Sequence, residues 1–284
     1  KLLCSKGNLY FRYIMDLNTI LRYKGCLNTP ALWKDTSLEG LNQLDLVNNI
    51  DENNDYTSLS TNKRLGKLVE EFIGYQISKN TNVSWIVSNL QIQNEKITVG
   101  ELDALFYRHK KAIHLEIIYK FYLYDNKISK NDELKNWVGP NRKDTLVYKL
   151  DKLLKKQLPL LFNIKTKLYL DNLNLKANEI KQEVCFKAQL FLPYEIPKFN
   201  SNLINRDCVM GFYISTEKLN IFDTYSFYIP DKLDWLITPH LDVKWLNFKD
   251  AKTEINKHIN QKKSPLCWLN YKNKTLEKCF VTWW

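Results

Sequence analysis

The chain has 284 residues, 44% hydrophobic and 26% charged, long enough to bury one large core or two modest ones. Its 42 Lys and Arg against 31 Asp and Glu leave a net charge of +11, which favours polyanionic partners such as nucleic acid, although an Asn- and Lys-rich chain also follows from A·T-biased codons. No run of about 18 apolar residues occurs, and the opening KLLCSKGNLYFRY lacks the continuous apolar stretch of a secretory signal, so a membrane span is not expected and a cytoplasmic location is.

The pattern divides the chain into residues 1–60, 61–195 and 196–284. In the first part LYFRYIMDLNTILRY has helical periodicity, and NNIDENNDYTSLSTN reads as a polar connector. A helix is predicted over NKRLGKLVEEFIGYQISKN, with Leu65, Leu68, Val69, Phe72 and Ile73 as its buried stripe. Three strands follow, at 84–92, 96–107 and 112–124, and the short links between them suit an antiparallel meander. Residues 126–141 read as a loop in which GPN makes a turn and Asn141 is a candidate helix cap. A second helix, RKDTLVYKLDKLLKKQL, is predicted to stop at Pro159. Another strand is expected at 183–194. The remainder offers strands at GFYIS, PLCWLNYK and EKCFVTWW, a helix near 250–260, and a terminal VTWW expected to pack on a sheet edge.

Cys4, Cys26, Cys185, Cys208, Cys267 and Cys279 stand singly, without a close Cys pair or a suitably spaced His. They suit reduced, partly buried thiols better than a zinc site.

The chemistry is concentrated in the meander. Alternation along a strand places Val99, Glu101, Asp103 and Leu105 on one face, with Gly100, Leu102, Ala104 and Phe106 on the other. In the next strand His114, Glu116, Ile118 and Lys120 lie together, so the acids of one strand fall near Glu116 of its neighbour. Clustered carboxylates repel and raise one another's pKa unless a cation holds them, and hard oxygen ligands suit Mg²⁺ or Mn²⁺. Acids paired with Lys110, Lys111 or Lys120 on a solvated face are the commoner meaning of such a pattern.

In the preceding helix Gly66 and Glu70 share a face, where the glycine would let the helix approach the sheet and Glu70 lean over the acids; Glu70 beside Glu71 also suits a solvated position. The second helix aligns Arg142, Lys149, Lys152 and Lys156 beside Leu146, Leu150 and Leu153, a basic ridge suited to a phosphodiester backbone or, more commonly, to solvent. His114 is a candidate base or a hydrogen-bonded packing residue. Tyr119, Tyr122, Tyr124 and Trp137 are candidates for base stacking or for the core.

In order along the chain, RLGKLVEEF, NLQIQ with GELDALF, HLEIIYKFYL, WVGPNRKDTLVYKLDKLLKKQLPL and AQLFLPY resemble the signature blocks of a bacterial family, domain of unknown function 1853. The likeness is dense over about residues 62–165, and the family is grouped with the PD-(D/E)XK nuclease-like superfamily. The resemblance implies an α/β, restriction-endonuclease-like αβββαβ core with a mixed sheet flanked by helices, between N-terminal helices and a C-terminal α+β region. It places the superfamily's first-helix acid on Glu70, the Asp of its G-x-x-D turn on Asp103 and its third-strand acid on Glu116, and it makes Gln157 or Lys149 the contribution of the second helix.

The motif's lysine position, two residues after the third-strand acid, holds Ile118. Lys120 shares that face but lies four extended residues from Glu116, about 13 Å along a strand. A β-bulge, a lysine from the second helix such as Lys149 or Lys152, or a loss of catalysis each accommodates the change.

The expectation is therefore a Mg²⁺- or Mn²⁺-dependent nuclease acting on DNA ahead of RNA. Asp103 and Glu116 would hold metal, Glu70 would act through water, Glu101 would be peripheral, and Lys120 or Lys149 would steady charge. Arg142, Lys149, Lys152, Lys156 and Gln157 would lie along the nucleic acid. The alternative is a nucleic-acid-binding or scaffold protein that keeps this fold without turnover.

Overall fold

The computed structural model describes residues 17–34, 38–45, 64–196 and 199–284. Cys4, residues 9–16 of the N-terminal helical pattern and the connector at 48–62 lie outside them. Residues 17–28 form helix α1 and Leu65–Ser78 form α2. Leu68, Val69, Phe72, Ile73 and Ile77 are buried on α2, as expected for apolar residues spaced three and four apart. A Cβ at Gly66 would meet nothing within 4 Å. That glycine therefore borders open space and does not draw the helix onto the sheet.

Strands β1 (Val83–Asn94), β2 (Ile97–Arg108) and β3 (Lys111–Tyr124) form the expected antiparallel meander. His109 and Lys110 link β2 to β3 with φ of 49° and 65°, the left-handed pair that matches a hairpin to the twist of its strands. The stretch expected as a loop contains a 3-10 turn, Glu133–Asn136, and a two-residue strand β4, Trp137–Val138, paired with β3. Asp132 starts that turn by accepting from Leu134 N at 3.1 Å, and Trp137 is fully buried.

Helix α3 spans Leu146–Lys152, four residues later than its basic start suggests. Gly139 N donates to Asp144 O at 2.7 Å and Arg142 takes a φ of 55°, closing a turn first. Thr145 then caps the helix by accepting from Tyr148 N. Asn141, the expected cap, instead accepts from Ser264 N at 2.8 Å. Nor does the helical path end at Pro159: α3 runs through a π turn, Leu153–Gln157, into a 3-10 turn, Leu158–Phe162, and then α4, Ile164–Asn172. Ile164 and Leu168 of α4 are exposed, which explains why no amphipathic stripe announced it.

The remaining elements are β5 (Lys181–Pro193), β6 (Val209–Ser215), β7 (Ser226–Tyr228), α5 (Phe248–Asn260), β8 (Leu266–Asn270) and β9 (Leu276–Thr282). Among the described residues one mixed sheet runs β1-β2-β3-β5-β6-β9-β8-β7, with β4 beside β3. Its centre, β3-β5-β6-β9, is parallel and its two ends are antiparallel. Strand β5 is buried almost throughout, because a central parallel strand is covered on both faces. Strand β9 lies between β6 and β8, so VTWW leaves the sheet interior and not an edge. A Cβ on Gly211 of β6 would sit 2.0 Å from Lys278 O of β9, so only glycine permits that approach.

Helices cover both faces. Helices α1 and α2 pack with Phe106, Leu115 and Phe121 on one side, while α3 packs with Ile118, Tyr122 and Phe186 on the other. Leu160, Leu161 and Leu170 cover Leu102 and Leu105 beneath the meander. Tyr119, Tyr122 and Trp137 are buried and Tyr124 is half-buried against Trp137 and Phe199, so these rings build core. The five described cysteines are free and buried. No described helix is long and apolar enough to cross a membrane.

Candidate active site

The β2–β3 ladder runs from Arg108↔Lys111 to Ala104↔Leu115, and beyond it the strands part. At the fork the Asp103 carboxylate accepts from Ile117 N at 2.9 Å, satisfying a β3 amide that has left the β2 ladder. The simple alternation of β2 fails here. Asp103 and Ala104 both line the α2 side, whereas Leu105 packs beneath the sheet with Leu160 and Leu161. Opposite this slip, Asn89 of β1 takes a φ of 53° between the paired residues Ser88 and Leu90. Glu101 and Asp103 thus share a face without Leu105, while Gly100 and Leu102 meet the Leu160 side without Ala104 and Phe106.

Glu70 descends from α2 onto the same spot, where one carboxylate oxygen from each of Glu70, Glu101 and Asp103 lies within 4.8 Å of the others. Lys67, one turn earlier on α2, spans them: its ammonium donates to Glu70 Oε2 at 2.7 Å, Glu101 Oε1 at 2.5 Å and Asn89 Oδ1 at 2.9 Å. Burial pushes the Asp103 carboxyl up to about 8, with the nearby Glu116 charge adding to the rise. Burial also raises Glu70, against the opposing pull of Lys67. For Lys67 itself burial works downward, but its hydrogen bonds to Glu101 and Glu70 outweigh it and the pKa rises. The group opens into a cleft of 600 Å³ that reaches Arg64, Tyr75 and Trp85.

Glu116 stands outside this group of three. It is fully buried, and both its oxygens are engaged. Gln182 Nε2 donates to Leu158 O at 2.8 Å and meets His114 Nδ1 at 2.9 Å, which makes Nδ1 the acceptor and leaves Nε2–H to donate to Glu116 Oε1 at 3.1 Å. Gln157 donates to Glu116 Oε2, and its own carbonyl accepts from Lys149 Nζ at 2.6 Å. The π turn delivers Gln157 inward: Leu158 N reaches back five residues to Leu153 O, and Pro159 has no N–H with which to continue an ordinary helix. Burial, with Lys120 nearby, holds the Lys149 ammonium down at about 8.

Lys120 turns away from the acids, towards Asp144. The β3–β5 register runs unbroken from Ile113 to Leu123, so no bulge in that ladder shortens the path from Glu116 to Lys120. The expected ridge is also broken up. Arg142 precedes α3, pairs with Asp125 and stacks over the Trp284 ring at 3.8 Å, while Lys149 points inward and Lys152 and Lys156 remain exposed. Lys67 and Asn89 went unnoticed in the sequence. The Lys67–Glu70 spacing of three was the available signal for the first, and the left-handed backbone of Asn89 left none.

Three carboxylates, one from a helix and two from one strand of a parting pair, over a mixed sheet covered by helices, make this an α/β protein with an acidic cleft. The model of the family described as domain of unknown function (DUF1853) matches residues 23–281, and the chain belongs to that family. No curated protein and no solved structure matches it.

Proposed function

We propose that the protein is a divalent-cation-dependent phosphodiesterase with a restriction-endonuclease-like core, acting on a nucleic-acid backbone, DNA ahead of RNA. The observation that carries this reading is the convergence of Glu70, Glu101 and Asp103 within 4.8 Å at the strand fork. The order α2-β1-β2-β3-α3-β5 supports it, as does the buried Glu116 next along the path.

The donor set fits Mg²⁺ or Mn²⁺: three hard oxygens, one from α2 and two from β2, with burial raising the pKa of Glu70 and Asp103. Glu70, Glu101 and Asp103 would hold the ion, which moves Glu101 from the periphery to the centre of the proposal. Bound there, the ion supplies a Lewis acid that polarises the phosphoryl group and offsets charge on the departing oxygen. Glu70 is the carboxylate placed to accept the proton of the attacking water. Lys67 sets a positive charge beside the phosphoryl oxygens. Glu116, held at both oxygens by His114 and Gln157, links the site to Lys149.

A second reading, a binding protein without turnover, draws on Ile118 at the motif's lysine position and on the pairing of Lys120 with Asp144. Incubation with supercoiled plasmid and single-stranded DNA separates the two. Mg²⁺-dependent cleavage that disappears in Asp103→Ala, Glu101→Ala and Glu116→Ala supports the enzyme. Salt-sensitive retention of DNA without cleavage in any divalent ion rejects it.

A further inference from the structure

Beside the acidic cleft, across the N-terminus of α2, lies a second cleft of 810 Å³. Five cationic side chains line it, Arg64, Lys120, Lys143, Lys149 and Lys232, against one carboxylate, Asp144. That carboxylate serves Lys120, and Lys149 rests on the neutral amide of Gln157. Lys232 lies 6.0 Å from the centroid of the Trp235 ring, and Arg64 and Lys143 have no carboxylate partner among the described residues. Arg64 and Ile117 line both clefts, so the basic one continues directly from the acidic one.

We infer that the basic cleft is a groove for the sugar-phosphate backbone of a single nucleic-acid strand, seating the nucleotides on one side of the phosphodiester held at the acids. This rests on the phosphodiesterase reading for its register but not for its chemistry. The cations are spread over five segments, the N-cap of α2, β3, the Gly139–Asp144 turn, α3 and the Lys232–Leu236 turn, which suits a chain of phosphates better than one compact anion. Leu65, Leu233 and Trp235 supply an apolar wall for sugars and base faces. The volume falls within the range of about 300–1,000 Å³ typical of small-ligand sites, room for a few nucleotides of one strand.

The test is binding of fluorescent twelve-nucleotide oligo-dT and oligo-rU in EDTA, over a series of NaCl concentrations. It compares the wild type, Arg64→Gln/Lys143→Gln/Lys232→Gln, and a charge-matched control on exposed lysines at the far end of the sheet, Lys249→Gln/Lys272→Gln/Lys274→Gln. The groove variant is expected to bind at least about tenfold more weakly and to flatten the log–log salt slope by about two, while the control stays near wild type. Binding of either oligonucleotide in this pattern supports the groove. Equal losses in the two triple variants, or competition by poly-glutamate as strong as by unlabelled oligo-dT, overturns it. Intact wild-type binding without Mg²⁺-dependent cleavage removes the phosphodiesterase and leaves the groove standing.

Discussion

Two regions of the same sheet bury charge, and they do so in opposite ways. In the centre, Lys187 donates to Leu27 O at 2.9 Å and Thr29 O at 2.6 Å, and Lys278 donates to Gln189 Oε1 at 2.8 Å and Trp235 O at 2.7 Å. Each ammonium ends on neutral acceptors and ties another segment to the sheet. At the β2–β3 fork, carboxylates face one another with a single lysine between them. The first arrangement is self-sufficient wiring. The second leaves like charges only partly compensated, the arrangement on which the proposed cation site rests.

The two regions respond to pH with opposite signs. Asp103 is raised from 3.8 to about 8, so the folded chain binds more protons than the unfolded chain in that interval and this residue's contribution to stability falls as pH rises. Lys278 is pulled by burial from 10.5 down to about 7, so the folded chain binds fewer protons there and stability rises with pH.

Asp103→Asn sharpens the contrast most. Cleavage is expected to fall at least about a hundredfold, as for loss of a principal charge-stabilising group. The same variant should be more stable than wild type at pH 8, by up to a few kcal/mol, with the gain shrinking towards pH 4 at about 1.4 kcal/mol per unit at most. Thermal melts across that range check the sign, and a destabilised variant at pH 8 breaks the comparison. Lys278→Met strips Gln189 and Trp235 O of their donor and should cost about 2–3 kcal/mol at pH 9. At pH 6, where the wild type carries a desolvated ammonium, the difference should be smaller; chemical denaturation at the two pH values measures it. His114→Ala leaves Glu116 Oε1 unpaired and should cost about 1–3 kcal/mol in the same assay. Lys67→Gln should alter stability by less than about 1 kcal/mol, because the Lys67 side chain is itself largely exposed, while tightening Mn²⁺ binding a few-fold by removing the competing ammonium.

What could be read in the sequence follows from the range of the forces involved. The α2 stripe and the three-strand meander are local patterns, and their spacing announced them. Helix α4 was invisible because Ile164 and Leu168 face solvent, and the start of α3 was misplaced because the Gly139–Asp144 turn competes with the helix for the same residues. Glu70 and Asp103 fell on the correct elements. The resemblance sets Glu116 among the ligands and leaves Glu101 peripheral, whereas the carboxylates that converge are Glu70, Glu101 and Asp103, and Glu116 is held beside them by His114 and by Gln157 from the π turn. The inward turn of Lys149 and the capture of Arg142 by Asp125 and Trp284 are long-range events that helical spacing does not encode.

The most direct measurement is isothermal titration of Mn²⁺ into the wild type and Asp103→Asn between pH 6 and pH 8. The account predicts a site in the wild type that tightens with pH and releases protons as it fills, because the ion displaces the proton that Asp103 holds up to about 8, and that is lost in the variant. Absence of binding in the wild type, or binding that Asp103→Asn leaves unchanged, contradicts it.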